Sequence, residues 1–303
     1  MSAEKPDSMT LRSLAPVFKY PKDRLPVAII LAFTALDVIA YFLVEPPWAL
    51  VLYWLLLIIP KGIISAWNHH HQHVLTFRPT WLNRLYELSL ALHTGITSNL
   101  WVLHHTLGHH VNFLDQQKDE SRWKRRSGKT MGMLEYTVSV AVTAYYRAYQ
   151  VGRRYPRHQR VYVLWSAITF ALVATALIFR PLSGLFVFAL PMVTSLLFTT
   201  WVTYDHHAGL DANDQFHASY NITNRWFNRL TGNLGYHTAH HFRQAVHWSK
   251  LPQLHASIAT RIPAKLYRKS TFDAFFPDEG RRGKLPDGPP IDDLESSSAQ
   301  PAQ

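Results

Sequence analysis

The sequence predicts an all-α integral membrane protein, with four transmembrane helices in two hairpins, interfacial helices, and a cytoplasmic histidine-rich di-metal cap. Three observations predict it. The apolar residues collect in long blocks instead of being scattered. The basic residues lie on one side of those blocks, as cytoplasmic flanks of membrane spans do. Most of the eighteen histidines fall in tight groups where a block could deliver them to one membrane face.

Leu25–Val44 is close to the length that spans about 30 Å of hydrocarbon. Asp37 interrupts it, and a carboxylate is costly in lipid, so it is expected to face other helices or an interface. Glu45-Pro-Pro47 makes a short turn. A second helix is expected from near Trp48 toward Asn68, passing Pro60, with Lys61 reaching for the cytoplasmic headgroups. Helix that persists to His73 would carry the first histidine group out of the hydrocarbon.

Trp81–Val102 is rich in Leu but broken by Asn83, Arg84, Glu87, His93 and Asn99. That mixture suits an interfacial or partly buried helix better than a lipid span. Gly132–Tyr149 is a second amphipathic candidate. Val161–Ile178 and Leu182–Trp201 form another hairpin across Phe179-Arg-Pro181, with Pro191 as a bend point. Three segments result: a cytoplasmic N-terminal stretch (1–24) with no cleavage pattern, the membrane domain (25–260), and a C-terminal segment (261–303). Pro277–Gln303, rich in Pro, Gly, Ser and acidic residues, reads as a disordered tail.

The formal charge of +11 raises nucleic acid as a partner, but its placement argues against it. Lys5, Arg12, Lys19, Lys22 and Arg24 precede the first block, and a dense basic set from Arg78 to Arg160 separates the second from the third. The expected address is therefore the inner or plasma membrane, with termini and histidines on the cytoplasmic side. The absence of cysteine excludes disulfides, thiolate metal sites and cysteine nucleophiles. Any metal must be held by nitrogen and oxygen, which suits several first-row ions.

His69 and His73 are four residues apart, as are His105 and His109, so on a helix each pair shares a face. His110 starts at a different angle, as a neighbouring ligand or a ligand to a second metal would. His237, His240 and His241 repeat the logic. His207 follows the fourth block and can join from the membrane side. His70 and His71 adjoin the first pair, and His71 can replace His69. His104 and His206 stand beside candidate ligands. His217 is a ligand, an orienting group or an ordinary interfacial histidine. A histidine-rich metal-binding membrane protein without enzyme activity is the bland alternative.

These spacings resemble the histidine boxes of the integral-membrane fatty acid desaturase and hydroxylase superfamily: His69-x-x-x-His73, His105-x-x-x-His109-His110 and His237-x-x-His240-His241. Membrane alkane hydroxylases are similar too, with E-H-x-x-G-H-H against His104 to His110 and N-Y-x-E-H-Y-G against Thr203 to Gly209. That second likeness supports His207 as a ligand. His104 and His206 replace the two glutamates, which prevents direct transfer of alkane specificity. His217 to Thr223 resembles another site-building stretch of the family.

The resemblance implies two ferrous ions per chain, dioxygen, and hydrogen abstraction from an unactivated C–H bond of a long-chain fatty acid or acyl lipid. Desaturation is the leading outcome. Hydroxylation and decarboxylation to a terminal alkene are the alternatives. The chain carries no dinucleotide fingerprint and no recognisable fused redox carrier. Electrons are therefore expected from a separate protein such as ferredoxin, rubredoxin or cytochrome b5 with its reductase.

Overall fold

The computed structural model describes residues 17–268, so the expected tail and most of the basic N-terminal stretch lie outside the described residues. The chain forms α1 (Arg24–Leu43), α2 (Pro47–His73), α3 (Thr80–Thr94), a π-helix (Val102–His110), α4 (Met133–Gly152), α5 (Pro156–Phe179) and α6 (Pro181–His207). Three short helices follow: α7 (Arg225–Thr231), α8 (His237–Phe242) and α9 (Leu251–Ile258). Among the described residues the sheet is one parallel pair, β1 (Asn221–Ile222) with β2 (Tyr267–Arg268).

Among the described residues four helices are long and apolar enough to cross a membrane: α1 with the turn before it, α2, α5 and α6. Proline starts three of them, at Pro47, Pro156 and Pro181, where the missing N–H would have had no helical partner. The hairpin turns are short, Val44 to Pro46 in one and Arg180 in the other. The Arg180 guanidinium donates to the Phe42 carbonyl at 2.6 Å and so joins the two turns. Leu36, Ile39, Leu56 and Ile178 project outward, as lipid-facing side chains do. The protein is thus an all-α membrane protein, and α2 runs unbroken through Pro60 to His73.

The polar residues that disqualify α3 as a lipid span are turned inward. Asn83 holds both the N–H and the C=O of Phe77, Glu87 pairs with Arg84, and Ser89 and His93 reach Thr34 on α1 at 2.6 and 2.9 Å. Left-handed Gly95 (φ 68°) ends the helix against the Met192 backbone, where a side chain would collide.

Asp37 does face other helices. Lys61, expected to reach the headgroups, is instead 1% exposed and donates to both Asp37 oxygens at 2.7 and 2.9 Å. It gives its third hydrogen bond to the Val187 carbonyl at 3.0 Å, and Tyr53 donates to Asp37 at 2.6 Å. Val187 lies in a π-helical stretch of α6 (Gly184–Ala189), just ahead of Pro191. An ion in hydrocarbon must be met inside the protein, and here α1, α2 and α6 all meet it. The described C-terminal residues continue the packed body, with Ile262 and Leu266 buried against Phe216 and Ala239.

Breaking this pair one-sidedly should strand a buried charge. Lys61→Met is expected to cost about 3–5 kcal/mol, and Asp37→Leu combined with Lys61→Met should recover most of it. Chemical unfolding of the purified protein in detergent measures both.

Candidate metal centre

The last turns of α2 bring four histidines to the same level but give them different work. His69 and His73, one turn apart, place their Nε2 atoms 3.1 Å from each other. His70 turns its Nε2 to the Thr231 carbonyl at 3.0 Å. His71 is occupied by Thr76 Oγ1 at 2.8 Å and Glu87 Oε1 at 3.3 Å, so it does not take the place of His69.

In the second box the expected α-helical pairing of His105 with His109 is replaced. Residues 102–110 wind as a π-helix, in which side chains five apart, not four, come to one face. His105 and His110 therefore meet, Nε2 to Nε2 at 2.9 Å, and His105 also lies 2.9 Å from His69. His109 turns to the other side, 3.3 Å from His207. Gly108 lets Glu120 pack closely against this element, since a Cβ there would sit 2.7 Å from the Glu120 side chain.

Two groups result. His69, His73, His105, His110 and His240 have ring nitrogens within 4.8 Å of one another, and so do His109, His207 and His241. His237 adjoins the second group, its Nε2 2.9 Å from that of His207. His110 and His241 stack at 4.1 Å between ring centres, so the two groups touch. The eight residues named from the spacings and His207, named from its place after the fourth block and from the second likeness, are brought together.

The other candidates are not in either group. His104 is fully buried, lies parallel to Trp101 at 5.3 Å, and is pushed down to about 3 by burial, then by Arg147 and His109. His206 stacks on His237 at 4.0 Å and directs Nδ1 at the Tyr220 carbonyl. His217 is exposed beside Asp214.

In the stretch from His217 to Thr223 the building is done by Ser219 and Asn221. Ser219 Oγ lies 2.9 Å from Thr238 Oγ1. Asn221 Nδ2 donates to that oxygen at 2.7 Å, while its Oδ1 accepts from the Thr238 N–H at 3.1 Å. Together they clamp the start of α8, which carries the third box. Sequence reasoning also missed Asp119, which holds His109 Nδ1 at 2.8 Å, and Arg268, which pairs with Asp205 next to His206. Neither stands at a telling distance from a histidine in the chain, so no spacing could have flagged them.

The two groups could each hold a metal ion. Burial, reinforced by the neighbouring imidazoles, pushes His105, His110, His237, His240 and His241 well below the ordinary histidine value. The rings are therefore neutral, as ligands must be. His105 Nε2 faces two other Nε2 atoms, more lone pairs than single ring protons can satisfy, and a cation satisfies them all. Two outer nitrogens are held in the way metal-bound histidines favour, His109 by Asp119 and His207 by the Ala218 carbonyl at 2.9 Å, whereas the Nδ1 atoms of His105, His110, His237 and His241 are buried without a partner.

A family model described as fatty acid desaturase matches residues 46–272. The chain belongs to that family. No curated protein and no solved structure matches it. An apolar cavity of about 370 Å³ runs from Ile59 and Phe198 at membrane depth to His69, His105 and His237.

A built site and a loose histidine tract differ in their pH response. Below about 6.5, the ordinary value, the unfolded chain takes up protons that the folded chain refuses, so stability falls as pH drops. The unfolding midpoint of the metal-free protein should decline from about pH 7.5 to about pH 5.5. Ferrous affinity of the folded protein, measured across the same range, should change little because the ligands are already deprotonated. Affinity that collapses in step with stability would mean ordinary exposed histidines.

Proposed function

We propose that this desaturase-family member is an oxygen-dependent acyl-chain desaturase with a non-haem centre of two ferrous ions. The observation that carries the reading is the convergence of nine histidines into two touching groups, three of whose members line an apolar cavity. His69, His73, His105, His110 and His240 would hold one ion. His109, His207 and His241, with His237, would hold the other. When bound, the pair supplies reduction of dioxygen and removal of hydrogen from an unactivated C–H bond.

The protein residues do the placing. The cavity wall from α2 and α6 keeps water from the chain and brings one stretch of it against His69, His105 and His237. Asp119 holds the Nδ1 proton of His109, which keeps Nε2 turned inward. Trp101, stacked at 5.5 Å on His105, backs that ring from behind. The cavity continues to membrane depth at Ile59, which is half exposed to the lipid side and supports a bilayer-dissolved fatty acid or acyl lipid as substrate. Basic flanks favour a cytoplasmic site in the inner or plasma membrane. A separate ferredoxin, rubredoxin or cytochrome b5-type protein would deliver the electrons.

Mass spectrometry of lipids and free acids from expressing cells, beside a His109→Ala control, tests the reaction. Loss of two hydrogens that depends on His109 is the expected result. Gain of one oxygen would make the enzyme a hydroxylase, and loss of one carbon a decarboxylase. Chain length is tested at Gly62, where a Cβ would stand 2.9 Å from the Phe198 ring on the cavity wall. Gly62→Val should shorten the preferred substrate, read as a shift in the product chain-length profile.

A further inference from the structure

Besides the Nδ1 atoms of His105 and His237, which belong to the grouped histidines, the cavity lining carries two buried polar atoms that a plain hydrocarbon chain leaves without a partner. The first is Nε2 of His206, a residue 1% exposed near the end of α6. Its Nδ1 lies 3.2 Å from the Tyr220 carbonyl. A carbonyl only accepts, so Nδ1 carries the ring proton and Nε2 is left as a lone-pair acceptor. The ring cannot easily turn away. It lies nearly parallel to His237 at 4.0 Å, and the Tyr220 N–H donates to the His206 carbonyl at 2.9 Å. His206 thus holds a fixed, unpartnered acceptor within the cavity wall, beside the metal groups but in neither of them.

The second atom is Oγ of Ser65, one turn before His69 on α2 and 3% exposed. The other hydroxyls on this wall are committed. Thr199, Thr203 and Thr231 each donate to the carbonyl one turn back, at 2.8, 3.0 and 2.8 Å. Asn224 caps α7 with its oxygen. Ser65 makes no such bond although its helix offers one. Leaving a buried donor or acceptor unsatisfied is unfavourable, and both residues belong to the wall that a ligand would touch.

We propose that the cavity takes an acyl or alkyl chain that bears an O–H or N–H group close to the reacting carbon. His206 Nε2 accepts from that group, and Ser65 Oγ supplies a second hydrogen bond to it. A chain seated this way is fixed along the cavity axis, so the polar group sets which carbon lies against the metal centre. The inference rests on the cavity being the chain-binding site, as in the proposed function, and adds the substituent by which the chain is read.

Binding without turnover tests it. The full-length protein is loaded with ferrous ion, kept anaerobic, and titrated calorimetrically with fatty acids of one length. One acid is unsubstituted, and the others carry a single hydroxyl moved along the chain carbon by carbon. One hydroxyl position is expected to bind about tenfold tighter than the unsubstituted acid. His206→Phe, which keeps the stack on His237, and Ser65→Ala should each lose that preference. His206→Gln, which restores an acceptor, should regain part of it, and iron content should stay at the wild-type level in all three. A flat positional profile overturns the inference while leaving the cavity as a chain site. Loss of iron in His206→Phe overturns it by making His206 a ligand. Failure of every acid to bind overturns both this inference and the proposed function.

Discussion

Nine imidazoles crowd together, seven of them with neighbouring Nε2 atoms 2.9–3.3 Å apart, in a place where burial keeps most of them uncharged. Neutral rings at that spacing present converging lone pairs, which only a cation reconciles. This crowding is the constraint that the rest of the molecule serves. α2 and α6 must end at one level to bring His69, His73 and His207 together, and the short α8 must be clamped by Ser219 and Asn221 to add the third box. Stability and metal binding are therefore two aspects of the same packing.

Departures from regular helix occur where the centre needs them. An α-helix over Val102–His110 would put His105 and His109 on one face and leave His110 turned aside. The π winding instead sends His105 and His110 to one group and His109 to the other, so one short element serves both. The second π stretch, Gly184–Ala189, lies far from the histidines and has a different use. It offers the Val187 carbonyl to Lys61, and with Asp37 ties α1, α2 and α6 at membrane depth. A slip of one residue along a helix moves its side chains by about 1.5 Å, which a metal centre would not tolerate. A buried tie between the two ligand-bearing helices sets that register.

The cavity belongs to the same construction. The helix faces that bear histidines at one end bear Ile59, Gly62 and Phe198 at the other, so a chain lying along them meets lipid-like surface first and metal ligands last. Polar groups on this wall are few, and most are spent on the backbone. Outside the grouped histidines, the exceptions are Ser65 and His206, which stand beside the metal groups.

The sequence by itself determined the membrane class, the two hairpins and the nine histidines that meet, because hydropathy length and histidine spacing are local properties written along the chain. Asp37 was legible as a residue that must avoid lipid. Its partner was not, for Lys61 is 24 residues away and equally able to reach a headgroup. The tertiary structure alone decided how the histidines divide, since a π turn is not visible in a spacing that also suits an α-helix. It also decided that Asp119, Arg268 and Asn221 support the site and that His217 stands outside it. Those roles depend on which chain segments pack against each other, and on which polar atoms burial then leaves in need of a partner.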